Sequence, residues 1–239
     1  MNILAIGNSF SQDATRYIHR IARSDGFDLN VTNLYIGGCP IDRHFRNMIS
    51  NSRDYELEYN GELTFFKVSL EEALLNREWD YITIQQASHK SYNYDTYQPY
   101  LDEICAYIRE LCPKAKLLIH QTWAYEDGSA RLSDRGYASY QAMFTDVEKA
   151  YDKAAKDVKA EFIIPSGKLM EKLLENGVEK IHRDTFHLRR GISRYAVGLL
   201  WYALLSGNDI ENNTFCDFDE EVTPEEIAIA KKCVKELIK

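Results

Sequence analysis

Residues 2–38 read NILAIGNSFSQDATRYIHRIARSDGFDLNVTNLYIGG, and this stretch decides the fold. Ile3-Leu4-Ala5-Ile6 is apolar without alternation, the pattern of a parallel strand covered on both faces, and Gly7-Asn8 ends it. From about Asp13 to Ser24 the set Ala14, Tyr17, Ile18, Ile21, Ala22 recurs at intervals of three and four, which is one helical face, and Gly26 terminates it. Leu29 to Ile36 is a second apolar run, closed by Gly37-Gly38. The unit is β-α-β, whose two strands lie parallel because the helix carries the chain back to the same end of the sheet.

Outward from this unit the pattern repeats. Tyr81–Ile84, Leu117–His120 and Phe162–Ile164 are three more short apolar runs, and helices are expected to end near Cys112-Pro113 and to span about 137–158, 166–175, 191–205 and 224–238. Between 40 and 79 the regularity breaks. There Tyr55, Leu57 and Tyr59 alternate with acidic residues, Asn60-Gly61 is a two-residue turn signal, and Leu63 and Phe65 resume the alternation, so the segment of about 50–68 reads as an inserted β-hairpin. Ser69 followed by Glu72 is a capping box that opens a short helix. The pattern predicts one domain over 1–239, a three-layer α/β/α sandwich around a five-stranded, mostly parallel sheet. In such sheets ligands bind beyond the carboxyl ends of the strands.

The chain has 239 residues, 45% hydrophobic and 28% charged, which suits a globular domain and excludes a disordered one. With 29 basic against 37 acidic residues the net charge is −8, which argues against a nucleic-acid binder or a polybasic membrane face and leaves substrates of any charge open. The five cysteines, at 39, 105, 112, 216 and 233, show no CxxC spacing, so a reduced chain without a disulfide framework is expected. No apolar run reaches eighteen residues and no basic leader precedes the first strand, from which a soluble, cytoplasmic protein with no membrane partner is expected unless a leader was removed.

The chemistry-bearing residues stand where the crevice rule puts ligands. After the first strand comes Gly7-Asn8-Ser9-Phe10-Ser11, where Ser9 can present a nucleophilic hydroxyl or, with Ser11, can simply cap the helix. Late in the chain comes His182-Arg183-Asp184-Thr185-Phe186-His187, in which Asp184 can hold His187 in one tautomer and leave its other nitrogen for a serine. His182, Asp184 and His187 are also zinc-ligand types, but no further ligand cluster stands at metal spacing, so neither a metal nor a cofactor is expected. A nucleophile after the first strand and a base on the last loop meet at one sheet edge, which makes the pair stronger than either half.

Gly7-Asn8-Ser9 resembles the first block of the SGNH (GDSL-like) hydrolases, Gly37-Gly38 the second, and Asp184-Thr185-Phe186-His187 has the Asp-x-x-His form of the last. The resemblance extends over nearly the whole chain, and the Gly-Asn-Ser-Phe-Ser start with the Gly191–Tyr202 helix is similar to a bacterial subgroup. It implies a flavodoxin-like sandwich and a serine esterase with Ser9 as nucleophile, His187 as base and Asp184 as orienter. The backbone N–H groups of Ser9 and Gly38 would then stabilise the oxyanion. The family's asparagine after the third strand is replaced here by Gln85-Gln86-Ala87-Ser88, so a glutamine amide is expected as the further donor, Gln85 first and Gln86 as the alternative. His44, Tyr92 and Trp123 are expected to contact the substrate, a small-molecule ester and in one version an acylated saccharide, although aromatic residues here can equally pack the loops. Two other readings stay open: a Cys39 thiol with His44 as base, and a glycan-binding module that has lost turnover.

Overall fold

The computed structural model describes residues 1–238; Lys239, part of the single 1–239 domain read above, lies outside them. In chain order the elements are β1 (Asn2–Gly7), α1 (Ser9–Thr15), α2 (Ile18–Ser24), β2 (Asn30–Tyr35), α3 (Ile41–Ser50), β3 (Tyr55–Tyr59), β4 (Glu62–Val68), α4 (Leu70–Leu75), β5 (Tyr81–Ile84), α5 (Tyr100–Leu111), β6 (Lys116–Gln121), α6 (Ala130–Ser133), α7 (Tyr140–Asp157), β7 (Ile163–Pro165), α8 (Ser166–Glu175), α9 (Ile192–Ser206) and α10 (Pro224–Leu237). The strands form one sheet in the order β4-β3-β2-β1-β5-β6-β7.

The five predicted strands are present as β2, β1, β5, β6 and β7, all parallel. The sheet nevertheless has seven strands and is mixed, which corrects the five-stranded expectation. The hairpin is not an appendage: β3 pairs antiparallel with β2, Leu34 opposite Leu57, and β4 pairs with β3. The physical reason is the free edge of β2, whose backbone groups need partners, and an alternating strand such as 55–59 can cover one face while meeting that edge. At the turn Asn60 and Gly61 both take positive φ, 53° and 84°, as a two-residue hairpin connection requires. A Cβ on Gly61 would stand 2.2 Å from the Arg16 carbonyl oxygen, so only glycine fits.

Two layers of helices cover the sheet. α3, α4, α5 and α7 pack on one side, and α1, α2, α8, α9 and α10 on the other. Helix α9 is buried nearly all round, as its almost continuous apolar sequence requires. Each fully buried Leu or Ile in this core contributes about 1.5–3 kcal/mol relative to exposure, which drives the layers together. Both capping boxes form, with Ser69–Glu72 opening α4 and Thr223–Glu226 opening α10.

Helix α3 is absent from the sequence reading because its buried face carries Ile41, His44 and Asn47. Two polar residues at core positions erase the apolar periodicity that reveals a helix. The single helix expected over 13–24 is two helices, and the first begins at Ser9 because the Asn8 side chain accepts from the Phe10 N–H. Among the described residues no helix is long and apolar enough to cross a membrane.

Candidate active site

β1 and β5 are neighbours in the sheet although the chain runs to β2 between them, so the loops leaving their carboxyl ends diverge and open a crevice. A cleft of about 380 Å³ lies there, lined by Ser9, Gly38, Ser88, Tyr125, Phe186 and His187 among others. Each lining segment follows the end of a parallel strand or belongs to the loop before α9.

Asn8 has an extended backbone, and its Oδ1 accepts from the Phe10 N–H at 3.0 Å. Ser11 is turned inward, its Oγ donating to the Asn8 carbonyl at 2.8 Å. Asn8 is therefore the cap, and neither serine is needed for it. The Ser9 hydroxyl instead lies 2.8 Å from His187 Nε2, and His187 Nδ1 lies 2.8 Å from Asp184 Oδ2. The His187 backbone N–H also donates to Asp184 Oδ1, at 2.9 Å. A carboxylate only accepts, so it assigns the proton to Nδ1 and leaves the Nε2 lone pair facing the serine hydroxyl. Burial pushes the Asp184 carboxyl up, but the side-chain and backbone hydrogen bonds from His187 outweigh it and hold the group below the usual range. Between them Thr185 sits at φ 78°, a left-handed conformation that is strained for a β-branched residue.

The loop carrying Asp184 and His187 is fastened to the helix that carries Ser9. Asp13, fully buried on α1, accepts from Arg183 at 2.9 and 3.1 Å, from Arg194 at 2.8 Å and from the Leu188 N–H at 2.9 Å. Arg194 in turn reaches Asp219 at 3.0 Å. Aromatic stacking adds to the clamp: Phe10 lies flat on Trp123 with centroids 4.3 Å apart, and Phe186 lies against His187 at 3.8 Å. Sequence reasoning missed Asp13. The available signal was Arg194, the one charged residue inside the apolar run of α9, which needs a buried anion.

Several expected site residues take other roles. Gln85 is 2% exposed: its amide donates to Asn8 Oδ1 at 3.0 Å, and its oxygen lies 2.6 Å from His120 Nδ1. Burial holds His120 neutral, its pKa lowered to about 3, so its Nδ1–H is the donor. Asn8 passes the chain on, donating from Nδ2 to the Cys39 carbonyl at 3.1 Å. His120, Gln85, Asn8 and Cys39 thus link the ends of four parallel strands and fix the Ser9 and Gly38 turns. Gln86, the alternative donor, is also engaged, accepting from the Ile41 N–H and donating to Thr96. Neither glutamine lines the cleft, and each amide is held by buried partners, which corrects the expectation that Gln85 or Gln86 faces the oxyanion.

His44 is fully buried, stacked on Tyr55 and 2.9 Å from its hydroxyl, with a pKa lowered to about 3 by burial. Cys39 is buried and its thiol is pushed up to about 12 for the same reason, which removes the thiolate that a cysteine nucleophile needs. Trp123 is fully buried and donates to the Phe186 carbonyl at 2.7 Å, and Tyr92 packs edge-on against Tyr137. None of these lines the cleft: His44, Cys39 and Trp123 are buried in the core, and Tyr92 packs on its surface side against Tyr137. His182 turns away to the Ala124 carbonyl at 3.0 Å and does not join Asp184 and His187.

Gly38 does line the cleft, at φ 61°, a conformation that needs glycine and that turns the chain after β2. Among the described residues the Ser9 and Gly38 N–H groups make no hydrogen bond within the protein. Ser88, the last residue of the Gln85–Ser88 stretch, also lines the cleft, and its Oγ accepts from the Tyr125 hydroxyl at 3.1 Å, leaving its own proton free.

A family model described as "Domain of unknown function (DUF4886)" matches residues 2–236. The chain belongs to the DUF4886 family. A crystal structure of a DUF4886 family protein from Bacteroides uniformis superposes with a TM-score of 0.92 at 33% identity, covering 100% of this chain and 94% of that one. More distant structures share the fold alone. A protein from Slackia heliotrinireducens proposed to be an SGNH hydrolase gives a TM-score of 0.61 at 22% identity, over 86% of this chain and 96% of that one. Axe2, an acetylxylan esterase from Geobacillus stearothermophilus, gives 0.57 at 13% identity, over 89% and 97%. No functionally curated protein matches the chain. This DUF4886 chain therefore has the α/β fold of the SGNH hydrolases, with a seven-stranded mixed sheet.

Proposed function

We propose that the protein is a serine hydrolase of carboxylic esters, and the observation that carries this reading is the Asp184–His187–Ser9 relay, with both links at 2.8 Å, opening on the cleft. Ser9 attacks the ester carbonyl while His187 Nε2 takes its proton. Asp184 orients the ring and stabilises the imidazolium, and His187 then protonates the departing alcohol. The negative charge that develops on the carbonyl oxygen is met by the N–H groups of Ser9 and Gly38. Because Ser88 lines the cleft and neither glutamine does, the Ser88 hydroxyl is the third donor. Losing one such donor typically costs about 2.7–4 kcal/mol of transition-state stabilisation.

The acetyl-carbohydrate version of the substrate is supported by the fold shared with the acetylxylan esterase. The binding-module alternative has weaker support, because Trp123 is fully buried and Tyr92 packs edge-on against Tyr137, so neither lines the cleft. Hydrolysis of 4-nitrophenyl acetate by the wild type, its loss in Ser9→Ala and His187→Ala, and a double variant no worse than either single one is the expected result, since residues that act as a unit are not additive. Single-variant losses that multiply in the double would contradict the reading.

A further inference from the structure

The chain carries a net charge of −8, yet among the described residues no carboxylate lines the cleft, whose ionisable residues include Arg131, Arg183, His89 and His187. Of the carboxylates near it along the chain, Asp184 pairs with His187, Asp13 with Arg183 and Arg194, and Glu126 with Lys180. Arg183 spends one guanidinium nitrogen on Asp13 and the Leu188 carbonyl. Arg131 is different. Its guanidinium lies 3.9 Å above the centre of the Phe186 ring and 5.6 Å from that of Tyr125, and among the described residues it makes no ion pair. The Phe186 ring that holds it is the one packed against His187. A single aromatic ring therefore separates a cation with no ion pair among the described residues from the base that would drive the reaction. A guanidinium held over a ring face by a cation–π contact keeps N–H groups for an acceptor.

We propose that Arg131 recognises an anionic group on the substrate, so that the cleft takes carboxylic esters carrying a carboxylate or similar anion a few bonds from the scissile carbonyl. This deepens the esterase reading and rests on it. A guanidinium–carboxylate contact at a cleft mouth is a charge-assisted hydrogen bond, for which a preference of about tenfold over a neutral isostere is expected.

The test uses matched ester pairs with the full chain. On the alcohol side these are 4-acetoxybenzoate and its neutral methyl ester, and on the acyl side mono-4-nitrophenyl glutarate and 4-nitrophenyl pentanoate. The expected result is a higher kcat/KM for the anionic member of at least one pair. That ratio should fall about tenfold in Arg131→Gln and decline as salt is raised, because an exposed charge contact is screened. The pair that shows the effect tells which side of the ester bears the anion. Equal efficiency within both pairs, or a preference insensitive to Arg131→Gln and to salt, would overturn the inference and leave the esterase reading standing. Turnover of none of the four esters, with no covalent labelling of Ser9 by a fluorophosphonate, would overturn both.

Discussion

Asp13→Asn is the substitution that separates a fastened catalytic loop from an incidental one. The fully buried carboxylate meets Arg183, Arg194 and the Leu188 N–H, and the amide that replaces it would turn an N–H₂ donor toward two guanidinium donors. Breaking a buried ion pair from one side costs about 3–5 kcal/mol. The lower figure applies here, since Arg194 keeps Asp219 and Arg183 keeps the Leu188 carbonyl. For a chain of this size, about 3 kcal/mol corresponds to a fall in Tm of about 6–12 °C. The same change loosens the segment that holds His187 against Ser9, and a displacement of about 1 Å can cost on the order of 100-fold in rate. Thermal unfolding followed by circular dichroism, with kcat on 4-nitrophenyl acetate measured 15 °C or more below the lower Tm (roughly two such Tm shifts), reads both effects. A lowered Tm with unchanged kcat would refute the positioning argument, because the network would then serve stability alone.

Gln85→Ala should lower both Tm and kcat, because it leaves Asn8 and His120 without their buried partner, while a donor acting only on the oxyanion would lower kcat and spare Tm; parallel melts and kinetics decide between them. Ser88→Ala should lower kcat about 100-fold or more with little change in KM or Tm, and a silent variant would leave the backbone N–H groups as the only donors. The hydrogen bond from Arg16 holds the Asp219 carboxyl down to about 2 against the opposing effect of burial. A depressed carboxylate stabilises the fold above its unfolded value near 3.9 and ceases to do so as pH falls through its folded value. The Tm difference between wild type and Asp219→Asn should therefore be large at pH 6 and shrink toward pH 2, and a constant difference would contradict the assignment.

The parallel strands were legible because a strand buried on both faces has to be an unbroken apolar run, and the hairpin because Asn60-Gly61 needs two residues of positive φ. That the hairpin extends the sheet was not legible, since nothing local records which edge a strand meets. Ser9, Asp184 and His187 were singled out by their places after a strand and on one loop, and they come within hydrogen-bond distance. Gln85 and Trp123 were misplaced for a common reason: a polar or aromatic residue at a sheet edge looks the same in sequence whether it faces the cleft or a buried partner. His120 satisfies Gln85 across two neighbouring strands, and the Phe186 carbonyl satisfies Trp123 from the far end of the chain. Helix α3 hid because its inward residues His44 and Asn47 are polar.

The most direct test of the central claim is covalent. Incubation of the wild-type chain with a fluorophosphonate, followed by peptide mass spectrometry, should give one adduct, on Ser9, that Ser9→Ala abolishes and His187→Ala slows strongly. An adduct on Ser11, Ser88 or Cys39 would contradict the account, as would a Ser9 that stays unmodified in a folded protein that hydrolyses esters.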